Sequence, residues 1–272
     1  LRTILNTAYP SKDWSWGVSQ SFKDDRPSVV FPEKIKKPDL SILKGWDLKS
    51  LNIKFVKLEN YEVLKELDFH ELIINSNNFD NLNFLKGKNL KKLELGNSSY
   101  LKDISVLEKM ELESLSLTPQ LIPHLENFNK TSLKQLSLYC FNSAVNLKSV
   151  RDFELESFVI TTPTEIDFSG LENKTFKNMT LLISNDIKVK PNIINYDKVN
   201  IDTLKVEGGI IDTDTINILE KFNLKEVSFL NCDMSDTSSL SKLPVRKLTL
   251  DRCGVADLSF TGKMKQLRDL SI

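Results

Sequence analysis

The chain has 272 residues, of which 40% are hydrophobic and 27% charged, with 37 Lys and Arg against 37 Asp and Glu. That composition is normal for a folded protein and wrong for a disordered one. Zero net charge and no basic block leave nothing to draw the chain to nucleic acid or an anionic membrane, and no run of eighteen apolar residues could span a bilayer as a helix. Usage leans toward Lys, Asn and Ile, with Ala only at Ala8, Ala144 and Ala256, the composition of an AT-rich genome. The chain starts at Leu1 without a Met and stops inside a motif, so it is expected to be a piece of a longer protein.

Residues 1–46 are the first element. They hold Asp13-Trp14-Ser15-Trp16-Gly17 and the prolines Pro10, Pro27, Pro32 and Pro38, and they do not share the periodicity that follows. The expectation is an N-terminal cap, with Trp14, Trp16 and Phe22 covering Leu48 and Leu51, or the end of a preceding domain.

From Asp47 onward an apolar-x-x-apolar-x-apolar triad recurs. It reads Leu48-Leu51-Ile53, Phe69-Leu72-Ile74, Leu90-Leu93-Leu95, Leu112-Leu115-Leu117, Leu133-Leu136-Leu138 and Leu155-Phe158-Ile160. It continues as Phe176-Met179-Leu181, Ile201-Leu204-Val206, Leu224-Val227-Phe229, Val245-Leu248-Leu250 and Leu267-Leu270-Ile272. First members are spaced 21, 21, 22, 21, 22, 21, 25, 23, 21 and 22 residues apart. The fourth and sixth positions alternate with polar neighbours, the period of a strand with one buried face. One turn cannot bury that face alone, so turns must stack. Helical leucine patterns at i, i+3, i+4 and i+7 give no such comb. The stretch from Leu182 to Asn200 is longer than its equivalents and predicts an irregular bulge.

The triads resemble the leucine-rich-repeat family motif, L-x-x-L-x-L-x-x-N/C-x-L, from Asp47 to Ile272. Two turns match in full: Leu224-Lys-Glu-Val227-Ser-Phe229-Leu-Asn-Cys232-Asp-Met234 and Val245-Arg-Lys-Leu248-Thr-Leu250-Asp-Arg-Cys253-Gly-Val255. The latter runs on into Asp257-Leu258-Ser259-Phe260, as in the short, internalin-like bacterial class. The resemblance implies an α/β solenoid, a horseshoe of about eleven 21–25-residue repeats over residues 47–272 with one parallel concave sheet, its C-terminal cap missing. At the ninth position only Asn77 keeps the family's Asn; Val56, Ser98, Gln120, Phe141, Pro163, Ser184 and Gly209 stand elsewhere.

Catalytic signatures are sparse. His70 and His124 are the two histidines, and the residue beside His70, Glu71, points to the opposite face of a strand. No nucleophile elbow, phosphate loop or dinucleotide fingerprint occurs, and Gly208-Gly209 reads as a turn. Cys140, Cys232 and Cys253 are too few for a disulfide framework, and Cys232 and Cys253 at equivalent positions one turn apart are expected to be buried thiols. No enzyme activity, cofactor or metal is expected. Four Asn-x-Ser/Thr sequons, at Asn97, Asn129, Asn173 and Asn178, carry no weight at this Asn content.

The expected site is the concave face, made by the fifth and seventh positions of the repeat. Tyr139, Val159, Thr161 and Leu182 form a small, uncharged and partly apolar centre, with Leu230 further along the same row. Lys91, Lys92 and Glu94 flank it on one side and Lys205, Glu207, Arg246 and Asp251 on the other. An apolar centre with a charged rim is the anatomy of a protein-binding patch. Composition and repeats are also similar to those of mycoplasma surface proteins that bind or block immunoglobulin, the Protein M type. That resemblance implies a surface or secreted virulence protein engaging a host protein such as the antibody variable region. The alternatives are an internalin-like adhesin for a host receptor and the recognition module of a larger effector enzyme.

Overall fold

A computed structural model of the chain describes residues 5, 8, 19–21, 24–33, 35, 37–54, 56, 58, 61–75, 79–96, 100–183, 192–196, 198–234 and 236–272. Trp14, Trp16, Phe22, Asn77, Ser98 and Ser184 lie outside the described residues. The chain forms two compact units, Leu1–Leu133 and Lys134–Ile272.

In the first unit the strands are β1 (Ser19–Ser21), β2 (Asp24–Val30), β3 (Asp47–Ile53), β4 (Asp68–Ile74), β5 (Lys92–Leu95) and β6 (Ser114–Leu117). Strands β2 to β6 run parallel in chain order, and β1 closes the edge by pairing antiparallel with β2. The middle triad residues sit side by side: Leu51 on Leu72, Leu72 on Leu93, Leu93 on Leu115. Val29 takes the place beside Leu51, so the stretch before Asp47 supplies a strand that continues the buried row.

The second unit has β7 (Gln135–Tyr139), β8 (Ala144–Asn146), β9 (Ser157–Thr161), β10 (Glu165–Asp167), β11 (Thr175–Leu182), β12 (Asn192–Ile194), β13 (Asn200–Glu207), β14 (Ile210–Ile211), β15 (Glu226–Leu230), β16 (Asp233–Met234), β17 (Lys247–Asp251) and β18 (Asp269–Ser271). Strands β7, β9, β11, β13, β15, β17 and β18 form the parallel ladder that carries the triads. The short strands β8, β10 and β12 pair with one another behind it, as do β14 and β16.

Every triad is buried to 6% exposure or less except the last, where Leu270 is 37% and Ile272 66% exposed. Each fully buried side chain of this size contributes about 1.5–3 kcal/mol against the ordering of the coil. The return stretches are mostly single 3-10 turns, and they close the core from behind with Leu43, Leu85, Leu107, Val150, Leu171 and Leu240. A seven-residue α-helix, Thr213–Leu219, replaces the 3-10 turn in one of them.

Seven of the return stretches start on a local signal. A carboxylate or amide oxygen of Asp39, Asn81, Asp103, Asn146, Asp167, Asp236 or Asp257 accepts the backbone N–H two residues on, at 2.8–3.0 Å. These Asx turns satisfy a donor that the short helix cannot. In the turn after β13, Gly209 is held at φ 76°, and a Cβ there would stand 2.8 Å from the Ile183 side chain, so only glycine fits.

Candidate protein-binding surface

Strand alternation turns the odd positions away from the core, and parallel register lines them up across turns. In the second unit the seventh-position residues form one row: Tyr139 beside Thr161, Thr161 beside Leu182, Leu182 beside Glu207 and Glu207 beside Leu230. Val159 and Lys205 belong to the adjacent fifth-position row, with Thr180 between them. All seven named site residues on these two rows are half-buried. Arg246 is not on them. It lies in the turn one residue before β17, exposed, with its backbone N–H on the Lys225 carbonyl at 2.8 Å.

The charged flank beyond Leu182 is already matched. Lys205 Nζ is 2.9 Å from a Glu207 carboxylate oxygen, so these two largely neutralise each other. In the first unit Lys91 pairs with Glu111 at 3.4 Å and Glu113 at 3.6 Å, and Lys54 with Glu94 at 3.7 Å. Exposed pairs of this kind contribute little to stability.

One residue of this surface escapes a position-by-position comparison with the repeat motif. Counting from Leu133, Phe141 is the ninth residue and should point inward. The structure puts Cys140 inside, 2% exposed, and leaves Phe141 55% exposed. The cause is the backbone. The left-handed residue after the strand is the eighth in the turns of Thr162, Gly208, Asn231 and Arg252, whereas here it is delayed to Phe141 (φ 47°) and Asn142 (φ 63°). The turn is fixed by Cys140 N–H to the Thr161 carbonyl and Asn142 N–H to the Thr162 carbonyl, both 3.0 Å. The Phe141 ring then lies 6.2 Å from that of Tyr139, centre to centre, extending the apolar row past the strand end. The signal in the sequence was an aromatic following a cysteine where the motif expects the cysteine second.

The groups that could do chemistry have structural partners. His70 Nε2 is 3.2 Å from a carboxylate oxygen of Asp47 on the neighbouring strand, and His124 is exposed in the 3-10 stretch Pro119–Asn127. Among the described residues no group of three or more His, Cys, Asp or Glu could hold a metal. Cys140, Cys232 and Cys253 are free and buried. Burial pushes the Cys140 and Cys232 thiols up to about 12 and raises that of Cys253. The Cys232 thiol donates toward carbonyls of its own and the preceding turn, those of Leu230 and Gly208 both at 3.3 Å. The Cys253 thiol reaches the Phe229 carbonyl at 3.3 Å, so both occupy the inward slot where the motif allows Cys. Protonated thiols used as donors are poor nucleophiles.

No protein-family model matches this chain, and no curated protein matches it. Among solved structures, an internalin from Listeria monocytogenes aligns with it at a TM-score of 0.44 and 19% identity, covering 87% of this chain and 71% of that one. The chain's own turns, each a parallel strand with inward fourth and sixth positions, a tight bend and a short return, are those of a leucine-rich-repeat α/β solenoid fold.

Proposed function

We propose that this chain is a protein-binding module and that its partner docks on the strand face of the Lys134–Ile272 unit. The observation that carries this is the uncharged row Tyr139–Thr161–Leu182, lengthened by the exposed Phe141. Large and apolar groups there serve no core, and they stand beside a self-neutralised Lys205–Glu207 pair. Rigid aromatic anchors on a sheet lose little entropy on binding and dominate interfaces of this type. Val159 widens the centre, Leu230 continues the row and Arg246 lies at its margin.

The partner proposed is a host protein, with the antibody variable region first, as the resemblance to immunoglobulin-binding surface proteins implies. The chain would then act at a bacterial surface or after secretion. Among the described residues no helix is long and apolar enough to cross a membrane. The test is surface-immobilised chain against an immunoglobulin Fab, then against a panel of purified host receptor ectodomains. Tyr139→Ala with Leu182→Glu is expected to weaken the bound partner at least about ten-fold, roughly 1.4 kcal/mol. A receptor bound in place of the Fab selects the adhesin reading. Unchanged affinity in the double variant moves the interface elsewhere.

A further inference from the structure

A second column runs along the Lys134–Ile272 unit, made by the residue that follows the first apolar member of each triad. Its signs alternate through Lys134, Glu156, Lys177 and Asp202, so each charge has an opposite neighbour one turn away. At Lys225, Arg246 and Arg268 the alternation stops and three cations follow one another. The three are on consecutive turns: Arg246 N–H donates to the Lys225 carbonyl and Arg268 N–H to the Arg246 carbonyl, both at 2.8 Å.

Lys225 has a carboxylate, Asp202, at 2.8 Å. Arg246 and Arg268 are exposed, and among the described residues neither makes an ion pair. Like charges on adjacent turns, each just before strands that lie about 4.8 Å apart, work against the fold. The first half of the column shows the arrangement that folding alone favours. Arg246, with a cation on either side, concentrates positive potential at one place on a chain with no net charge.

Resting on the protein-binding function proposed above, we infer that Lys225, Arg246 and Arg268 seat an acidic segment of the partner protein. Guanidinium groups take carboxylates in bidentate fashion, and a short run of Asp or Glu supplies several at once. A polypeptide fits better than a nucleic acid because Glu226 and Asp269 flank Lys247 in register in the adjoining row. A continuous phosphate backbone would be laid over those carboxylates, whereas separate side chains can pass between them.

The probe is fluorescein-labelled hexaglutamate, followed by anisotropy, with hexaglutamine and hexathymidylate as comparisons. Hexaglutamate is expected to bind saturably and to weaken as salt is raised. R246Q/R268Q is expected to lose at least ten-fold in affinity, and K134Q/K177Q, whose cations alternate with carboxylates, to bind like the parent. Arg246, Arg268 and Lys177 are exposed and Lys134 is half-buried, and an unaltered thermal melt verifies the fold of each variant. Hexaglutamate binding no better than hexaglutamine, or equal binding by R246Q/R268Q, overturns the inference. Tighter binding of hexathymidylate, lost in the same variant, replaces it with a nucleic-acid site. Y139A/L182E should bind hexaglutamate like the parent, so failure of the apolar face and failure of the cationic column are read separately.

Discussion

Phe141 stands 6.2 Å from Tyr139, ring centre to ring centre, on a backbone held left-handed at φ 47°. For a residue with a Cβ that conformation costs about 1–2 kcal/mol. Glycine would avoid the cost, so the aromatic is kept against a local penalty. Phe141→Gly is therefore expected to leave the melting temperature unchanged or raise it, by up to about 1 kcal/mol in stability. The same change should weaken a partner that docks on the Tyr139 row. A loss of stability well above 1 kcal/mol in urea unfolding would show that the ring supports the fold.

Neighbouring residues of β9 should behave oppositely. Phe158 is fully buried and packs on Phe176 with ring centres 5.5 Å apart. Phe158→Ala is expected to cost about 3–5 kcal/mol. Val159, one residue on, is half-buried on the other face, and Val159→Ala should cost about 1 kcal/mol or less. Urea midpoints of the two variants decide; similar losses would mean that the face assigned to Val159 is also packed.

The thiols give a third expectation. With Cys140 and Cys232 pushed up to about 12 by burial, the thiolate fraction at pH 8 is about one in ten thousand. Native protein should react slowly with a thiol reagent, and denatured protein should label three cysteines quickly. A Cys232–Cys253 disulfide found by mass spectrometry in untreated protein would contradict this.

Acid should unfold the chain through its Asx turns. Hydrogen bonds from the Ser41 side chain and backbone lower the Asp39 carboxyl below its usual range, and those of Ser105 lower Asp103. Ser238 and Thr213 lower Asp236, and Ser259 lowers Asp257. At Asp167 burial works the other way, but donors from Asn195, Ser169 and Asn146 outweigh it. A carboxyl lowered in the folded state stabilises the fold above its unfolded value of 3.8, and that contribution disappears as pH falls through the folded value. Asn81 and Asn146 already make the same turn without a charge. Asp103→Asn with Asp257→Asn should thus keep stability near neutral pH and reduce its fall between pH 5 and pH 2, followed by circular dichroism. An unchanged acid transition would place the sensitivity in other carboxylates.

The strand ladder was legible because burial is periodic: Leu51, Leu72, Leu93 and Leu115 had to face one way for any turn to stack. The Asx turns were visible only as Asp257-Leu258-Ser259-Phe260. Elsewhere Asp and Asn interchange, and the partner ranges from Ser105 to Lys148, because the acceptor bonds a backbone N–H and is indifferent to the side chain it belongs to. Tyr139, Thr161 and Leu182 were placed on one face by alternation alone. Phe141 was missed because a one-residue delay in the left-handed turn exchanges inside for outside, and sequence spacing carries no φ. Arg246 was assigned to the rim of that face. The backbone hydrogen bonds between turns also set it between Lys225 and Arg268.

The Asx turns have a consequence for how such a chain can change over generations. Seven return stretches begin on a bond made within two residues, so each of those turns sets its own start whatever the length of the one before. The interval from Phe176 to Ile201 is 25 residues, yet Met179 still lies on Leu204 and Leu182 on Glu207. The extra residues of that interval leave the register of the strands after it unchanged. The outward residues can therefore be varied turn by turn, and the inward comb acts as a fixed ruler beneath a surface free to diversify.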